Sequence, residues 1–226
     1  MRKHTLGALL CVLAIGMANS AQAADIQVTR VQSGVPVDTS GGQMTLFCAH
    51  MDNGQALYLM GSEEELSYKF EDVNFDGYED FVTFPVLGAR NIFEAFYIWQ
   101  PETQRYAYAP VFNGQLCNVE LDRERELVIS QVSDGIRNCQ RWVFTWTDGH
   151  LTPLREMRVC DYEEFAETDS GYTITQDRSR YVITLRDYTQ NVNGEMIAEQ
   201  VYPADETGEM DAERLAQAHR VLMEGL

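Results

Sequence analysis

The chain has 226 residues and a formal net charge of −18, because 35 acidic side chains stand against 17 basic ones. A surface of this charge repels nucleic acid and anionic lipid, and it attracts cations or a basic protein partner. Nucleic-acid binding is therefore excluded from the expected functions. The length suits one domain or two small ones.

The first residues predict a cleaved signal peptide. A basic start at residues 2–3 precedes an apolar run over residues 6–17, and the small-x-small pattern AQA follows at residues 21–23. The apolar run is too short for a membrane span. We predict a signal peptide over residues 1–23, no membrane span, and a periplasmic location for a single calcium-binding β domain over residues 24–226.

Nine later segments have the alternation and the β-branched or aromatic content of strands. In chain order they are Ile26–Gln32, Met44–His50, Ala56–Met60, Asp80–Val86, Phe93–Gln100, Tyr106–Phe112, Glu126–Val132, Arg141–Thr147 and Tyr181–Thr189. Asn-Gly and Asp-Gly pairs separate several of them, as in tight hairpins, whereas Ser33–Gln43 has the composition of a flexible connection. This pattern predicts an all-β fold, either an antiparallel β-sandwich or a barrel-like meander, with a propeller-like arrangement of hairpins as an alternative.

The stretch EDVNFDGYEDFVTF, residues 71–84, spaces oxygen-bearing side chains two apart around a glycine. Ca²⁺ takes about six to eight oxygen ligands, and the motif D-x-[DN]-x-[DN]-G supplies them with a sharp turn at its sixth position. The predicted ligands are the side chains of Asp72, Asn74, Asp76 and Asp80, at positions one, three, five and nine, and the main-chain carbonyl of Tyr78 at position seven.

The end of this motif differs from an EF-hand. Position twelve is Thr83 instead of a glutamate, and the flanking residues have the character of strands. We therefore expect a loop that leads into a strand and binds Ca²⁺ with modest affinity, as a structural site. A polar turn without metal is the alternative.

Four cysteines remain once Cys11 is removed with the signal peptide: Cys48, Cys117, Cys139 and Cys160. An even number in an oxidising compartment predicts two disulfides, for which three pairings are possible. A hairpin that turns at residues 148–149 would bring Cys139 nearly opposite Cys160. This favours that pair and leaves Cys48 with Cys117.

The C-terminal segment, residues 211–224, has helical periodicity. Leu215, Ala218 and Leu222 fall on one face, and Asp211 is placed to cap the first turn. We expect this face to dock on the sheet core, with a partner-binding helix as the alternative.

The calcium loop and the segments after it resemble a family of periplasmic proteins of Gram-negative bacteria. The family pattern is V-N-F-D-G-Y-x-D, a short gap, a Gly-Asn-like turn, and an aromatic strand that ends in a P-E-T turn, here in FYIWQPETQRYAYAPVF. Ala89-Arg90-Asn91 departs from the usual Gly-rich turn. The resemblance covers roughly Phe70–Phe112 and extends more loosely to Leu154. Characterised members resemble lysozyme inhibitors of the invertebrate-type class, which bind Ca²⁺ and protect the cell from lysozyme-like effectors of a rival's type IV secretion system.

Inhibitors of this kind insert a short loop into the lysozyme cleft, which contains paired catalytic carboxylates. The residues Ser170, Gly171 and Tyr172, within ETDSGYTIT, are loosely similar to the Ser-Gly-x-Tyr loop of such inhibitors but one residue shorter. They are the candidate inhibitory loop, and an ordinary turn is the alternative.

Catalytic motifs are absent from the sequence, which has no G-x-S-x-G, no H-E-x-x-H and no Gly-rich phosphate loop. We therefore predict a protein that is not an enzyme. The resemblance implies a calcium-binding inhibitor of a lysozyme-like peptidoglycan hydrolase, acting as an immunity protein. The alternative is a calcium-stabilised, non-catalytic binding or structural module of the cell envelope.

Overall fold

The computed structural model describes residues 26–39, 42–62, 64–111, 116–133, 138–168, 171–205 and 210–226. The predicted signal peptide and Ser170 lie outside the described residues, and for Gly171 and Tyr172 only the backbone is described. Over the described part, the chain forms fourteen β-strands and one α-helix.

Three antiparallel sheets follow one another along the chain. The first sheet contains β1 (Val28–Thr39), β2 (Gly42–Met51) and β3 (Ala56–Gly61). The second sheet contains β4 (Tyr68–Glu71), β5 (Asp80–Leu87), β6 (Ile92–Gln100), β7 (Arg105–Tyr108) and the short β8 (Leu116–Cys117), which pairs with β6. The third sheet contains β9 (Glu120–Asp122), β10 (Leu127–Ser133), β11 (Cys139–Thr147), β12 (His150–Thr168), β13 (Gly171–Asp187) and β14 (Glu195–Pro203). Strands that neighbour in sequence also pair in space, so each sheet is essentially a meander and the predicted antiparallel all-β fold is confirmed.

The three sheets pack face to face in chain order. Phe47 of the first sheet and Phe81 of the second belong to one buried cluster. Phe96 of the second sheet and Phe144 of the third belong to another. The second sheet is therefore apolar on both faces, because neighbouring residues of a strand point to opposite sides. Such two-sided burial makes it the centre of the molecule.

The third sheet shows the same alternation at β11. Trp142 and Phe144 pack toward the second sheet, whereas Val143 packs on the opposite face, beside the C-terminal helix. The period of two along RWVFTWT thus places one apolar set in each of two cores, as a strand buried on both faces requires.

The C-terminal helix α1 (Ala212–Met223) confirms the predicted position and capping. Asp211 Oδ1 accepts the N–H of Glu213 at 2.9 Å, an interaction typically worth about 1 kcal/mol. Ala218 and Leu222 are buried against the outer face of the third sheet. Among the described residues, no helix is long and apolar enough to cross a membrane.

An arginine of β12 attaches the end of this helix to the third sheet. Nη1 of Arg155 lies 3.1 Å from the carbonyl oxygens of Val221 and Leu222 and 2.7 Å from that of Glu224. Nε of the same side chain lies 3.3 Å from Asp187 Oδ2. The guanidinium thus neutralises the negative end of the helix dipole and pairs with a carboxylate of the neighbouring strand.

A glutamine side chain links the first sheet to the second. Gln55 is buried, its Nε2 donates to the carbonyl of Tyr106 at 2.7 Å, and its Oε1 accepts the N–H of Tyr106 at 2.8 Å. The amide group therefore pairs with both main-chain groups of one β7 residue, as a neighbouring strand would.

The prediction of a flexible connection at Ser33–Gln43 is wrong. Its described residues, 33–39 and 42–43, form the end of β1 and the start of β2, which pair from Pro36 opposite Thr45 to Thr39 opposite Gly42. Serine, glycine and proline lower strand propensity, but here they lie on an exposed edge strand, where proline is tolerated.

The prediction of two disulfides is also wrong, because Cys48, Cys117, Cys139 and Cys160 all carry free thiols. A bulge beside Val143 shifts the β11–β12 register, so that Cys139 lies opposite Val159. Cys160 follows Val159 and therefore points to the other face of the sheet. The second predicted pair fails because Cys48 lies in the first sheet, whereas Cys117 is buried in the second sheet beside Ser130.

Candidate metal centre

The predicted calcium loop connects β4 to β5, and its backbone turns through two left-handed residues. Phe75 has φ 63° and Gly77 has φ 89°. Glycine adopts this conformation freely, whereas a bulky aromatic residue does so at a cost of about 1–3 kcal/mol. The ring of Phe75 packs against the core between the second and third sheets, and this packing holds the strained residue.

Carboxylate and amide oxygens of the loop accept its own main-chain N–H groups. Asp72 Oδ2 accepts the N–H of Gly77 at 3.1 Å, Asn74 Oδ1 accepts that of Asp76 at 3.2 Å, and Asp76 Oδ1 accepts that of Tyr78 at 2.9 Å. These bonds between residues two or five apart fold the loop back on itself. These hydrogen bonds therefore turn the side chains at positions one, three and five toward the main chain of the loop.

Asp80 joins the loop to the second sheet. Its side chain is fully buried, Oδ2 accepts the N–H of Val73 at 3.0 Å, and Oδ1 accepts the N–H of Trp99 at 2.8 Å. The carboxylate therefore bridges the start of the loop and β6. Each oxygen has a second lone pair, so these bonds leave capacity for a cation.

The electrostatics of the loop disfavour negative charge when no cation is present. The pKa of the Asp80 carboxyl is raised to about 7, chiefly by burial and also by the nearby charges of Asp76 and Asp72, against the opposing effect of its two hydrogen bonds. A bound divalent cation would remove this repulsion, because its charge stabilises all three carboxylates.

Several contacts outside the loop fix its position. Val73 is buried, and its carbonyl accepts the indole N–H of Trp146, in the third sheet, at 2.7 Å. Nη1 of Arg123 lies 3.2 Å from the carbonyl oxygen of Asp72, and Nη2 lies 2.8 Å from Glu71 Oε1. The loop is consequently attached to both the second and the third sheet.

The donor atoms of the loop fit a hard cation. Asp72 Oδ1, at position one, is buried and has no hydrogen-bond partner among the described residues, and such a group is costly unless something binds it. Asn74 and Asp76 are less buried and can adjust. In the described part of the chain, no three His, Cys, Asp or Glu side chains are already grouped as a metal site. Coordination would therefore draw the side chains of the loop closer together.

The candidate inhibitory loop lies at the end of a long hairpin. Thr168 of β12 pairs with Gly171 of β13, so the predicted Gly171 and Tyr172 begin the second strand of this hairpin, whereas Ser170 lies outside the described residues. Pairing of β11 with β12 ends at Val159, and pairing of β14 with β13 begins at Arg180. Beyond these points, residues 162–168 and 171–177 pair with each other and project from the sheet as a two-stranded arm.

The base of this arm has a defined structure. The register shifts between Asp161 and Tyr162, and the extra residues of β13 form a bulge. Asp177 accepts from the hydroxyl of Ser179 and from Nε of Arg180, both at 2.6 Å, and these bonds lower the pKa of Asp177 to about 2. The Arg180 guanidinium lies 4.2 Å from the Tyr162 ring centroid. These contacts fix the direction in which the arm leaves the sheet.

A polar groove that the sequence did not predict lies on β12, β13 and β14. Its volume is about 590 Å³, and its lining includes Arg158, Arg186, Glu199 and Tyr188. The buried carboxylate of Glu156 accepts the Tyr188 hydroxyl at 2.8 Å. The alternation of charged and apolar residues from Glu156 to Cys160 could have indicated this polar face, although the sequence predicted this segment only as the second arm of the hairpin that turns at residues 148–149.

The predicted site residues therefore lie in three separate places: the calcium loop, the arm of β12 and β13, and the cysteines distributed over three sheets. No family model, no curated protein and no solved structure matches this chain.

Proposed function

We propose that this protein is a periplasmic, calcium-binding, non-catalytic inhibitor of a lysozyme-like peptidoglycan hydrolase. The observation that carries the proposal is the arm of residues 162–168 and 171–177, a narrow projection of two paired strands. A narrow projection matches the shape of a glycosidase cleft, whose catalytic carboxylates lie about 5–10 Å apart. The resemblance of the 71–84 segment to periplasmic lysozyme inhibitors supports the same function.

The charge of the chain supports a basic partner. At −18 it would accelerate encounter with a cationic hydrolase. The arm adds to this charge near its base, where Glu163 and Glu164 are exposed. Since screening by salt weakens steering, inhibition should set in more slowly as ionic strength rises.

Calcium, in this proposal, is held by Asp72, Asn74, Asp76 and Asp80 with the carbonyl of Tyr78. Support comes from the buried, unpartnered Asp72 Oδ1 and from the raised pKa of Asp80. The ion would neutralise the clustered carboxylates and cross-link the loop, which contacts both the second and the third sheet. It would take no part in chemistry, since the protein is proposed to catalyse none.

The calcium site predicts a specific response to chelator. The wild-type protein should melt at a higher temperature in Ca²⁺ than in chelator, because a ligand at one hundred times its Kd adds about 2.7 kcal/mol to stability. Asp76→Ala should lose most of this difference, since it removes an exposed ligand with little effect on packing. The exposed Asp38→Ala, in β1, is the matched control and should keep the full difference. Equal responses of Asp76→Ala and wild type would contradict the site.

The inhibitory function is tested by peptidoglycan lysis with a panel of lysozyme classes and lysozyme-like effectors. We expect inhibition of one class by the wild-type protein in Ca²⁺. A variant in which Asn-Gly replaces residues 163–176, so that Tyr162 and Asp177 flank the new turn, should lose at least a hundredfold in inhibitory potency while its melting temperature stays close to that of wild type.

The first sheet offers a control for this deletion. Replacing residues 37–44 by Asn-Gly shortens the β1–β2 hairpin in the same manner and should leave inhibition unchanged. Inhibition that survives loss of the arm would place the contact elsewhere, and absence of inhibition across the panel would reject the inhibitor function.

A second candidate function is a calcium-stabilised binding module of the envelope, and the groove beside β14 favours it. The groove has about 590 Å³ of open volume and both charged and hydroxyl groups in its lining, as a glycan or peptide ligand requires. Binding of purified sacculi that is lost in Arg158→Ala/Arg186→Ala, together with absence of inhibition, would favour this function over the first.

A further inference from the structure

The outer face of the first sheet brings together a thiol, an imidazole and an amide that neither the calcium loop nor the arm uses. Cys48 and His50 are two residues apart on β2 and therefore point to the same side. Cys48 Sγ lies 3.6 Å from His50 Nε2, and this nitrogen lies 3.1 Å from Gln32 Oε1 on β1. Gln32 is the register partner of Cys48, so the strand pairing itself produces the cluster.

The distances match the ligand shell of a tetrahedral metal. Zinc binds thiolate sulfur at about 2.3 Å and imidazole nitrogen at about 2.0–2.1 Å, which at a tetrahedral angle separates the two ligand atoms by about 3.6 Å. This is the separation observed between Cys48 Sγ and His50 Nε2. The separation of these two atoms thus already suits one shared ion, whereas the His50 ring must first carry its proton on Nδ1, because the contact with the acceptor Oε1 of Gln32 makes Nε2 a donor.

We propose that Cys48 and His50, assisted by Gln32, form a surface site for a thiophilic metal ion of the zinc type. Thiolate and imidazole are the preferred ligands of such ions, whereas the oxygen-only calcium loop suits hard cations. The site leaves the fourth position to water. On binding, the thiol loses its proton to solvent, the sulfur donates an electron pair to the metal, and the oxidation state of neither changes.

The residues around Cys48 and His50 determine the affinity expected for the metal ion. Arg30 lies opposite His50 on β1, and its positive charge opposes a cation. Tyr58, opposite Cys48 on β3, is 71% exposed, so the site is open to solvent. With two strong ligands and a cationic neighbour, we expect micromolar affinity, far weaker than that of a structural zinc site.

Cobalt substitution tests the proposal directly, with the whole mature chain kept reduced and excess Ca²⁺ present to occupy the loop. One equivalent of Co²⁺ should produce a thiolate-to-cobalt absorption band, which Zn²⁺ should abolish by displacement. Cys48→Ser should eliminate the band, and His50→Gln should weaken Zn²⁺ binding at least tenfold. Circular dichroism should show that both variants keep the β fold.

The chain provides matched controls, since Cys160 is another half-buried thiol and His150 another histidine outside the cluster. Cys160→Ser, His150→Gln and Tyr58→Phe should all bind Co²⁺ like wild type. If no thiolate band appears at millimolar Co²⁺, the cluster is only a hydrogen-bonded thiol and imidazole, and the proposal is rejected. A band that persists in Cys48→Ser would reject it as well.

Discussion

Asp80→Ala should lower the free energy of unfolding by about 3 kcal/mol in calcium-free buffer. The substitution leaves the N–H groups of Val73 and Trp99 without an acceptor in the interior, and each unpaired buried donor costs about 1–3 kcal/mol. Part of this loss is offset, because burial already raises the pKa of Asp80 to about 7 and alanine removes that unfavourable charge. Urea denaturation measures the net effect.

Two variants separate the bridging role of Asp80 from its role as a proposed ligand. Asp80→Asn keeps the shape and one acceptor oxygen, so its loss should be intermediate. Asp76→Ala, which removes an exposed side chain of the same loop, should change stability by less than about 1 kcal/mol when calcium is absent. An Asp80→Ala protein as stable as Asp76→Ala in this buffer would contradict the bridge.

The second large effect concerns Arg155→Met, for which we expect a loss of about 3 kcal/mol. The arginine side chain is only 16% exposed and serves three carbonyls at the end of α1 as well as Asp187. A hydrogen bond to a charged group contributes about 1.5–3 kcal/mol. The methionine would remove these bonds and leave the Asp187 carboxylate without its Arg155 partner. The helix should consequently detach from the third sheet more easily than in wild type.

Urea denaturation and amide hydrogen exchange measure this effect together. Exchange in the last turn of α1 should accelerate, whereas exchange in the first sheet should follow global stability alone. Arg158→Met is the matched control, because Arg158 is exposed on the same strand, and it should stay within about 0.5 kcal/mol of wild type. Similar losses in both variants would show that the helix contacts of Arg155 are not the cause.

The elements that were predicted correctly from the sequence have either a hydrophobic periodicity or a capping residue within their own segment. Helix α1 combines an apolar face with Asp211 at its start, and both are local properties of a dozen residues. Long buried strands such as β11 are indicated by their alternating aromatic and β-branched residues. Such local patterns are sufficient for the all-β class, because each sheet is built from strands that neighbour in sequence.

The missed elements lack a local pattern or depend on distant partners. A strand of two residues, such as β8, is too short to show a period. In the exposed strand β14, glutamates interrupt the pattern of apolar residues. The failed Cys139–Cys160 prediction has a different cause, since one bulge in β12 exchanged the faces of the sheet beyond it. A bulge depends on packing against neighbouring strands.

The candidate metal loop likewise combines local features that are predictable from the sequence with contacts that depend on distant residues. Its two-residue spacing and Gly77 predicted a sharp turn, and two of the hydrogen bonds within the loop follow that spacing. The bridge from Asp80 to Trp99 was not predictable, because it depends on where β6 lies. Sequence spacing indicates the ligands of a loop, whereas tertiary structure decides how each ligand is held.

The order of the three sheets along the chain has a consequence for the order in which the protein can fold. Each sheet closes mainly through hairpins, and each packs on the sheet that precedes it in the chain. Such short-range pairing lowers the entropy cost of the folding transition state, so the chain can assemble progressively from its N-terminal end. Helix α1 is the last element in this order. Until it docks, the outer face of the third sheet exposes Met157, Ile183 and Leu185, and the incompletely folded chain is then most vulnerable to aggregation.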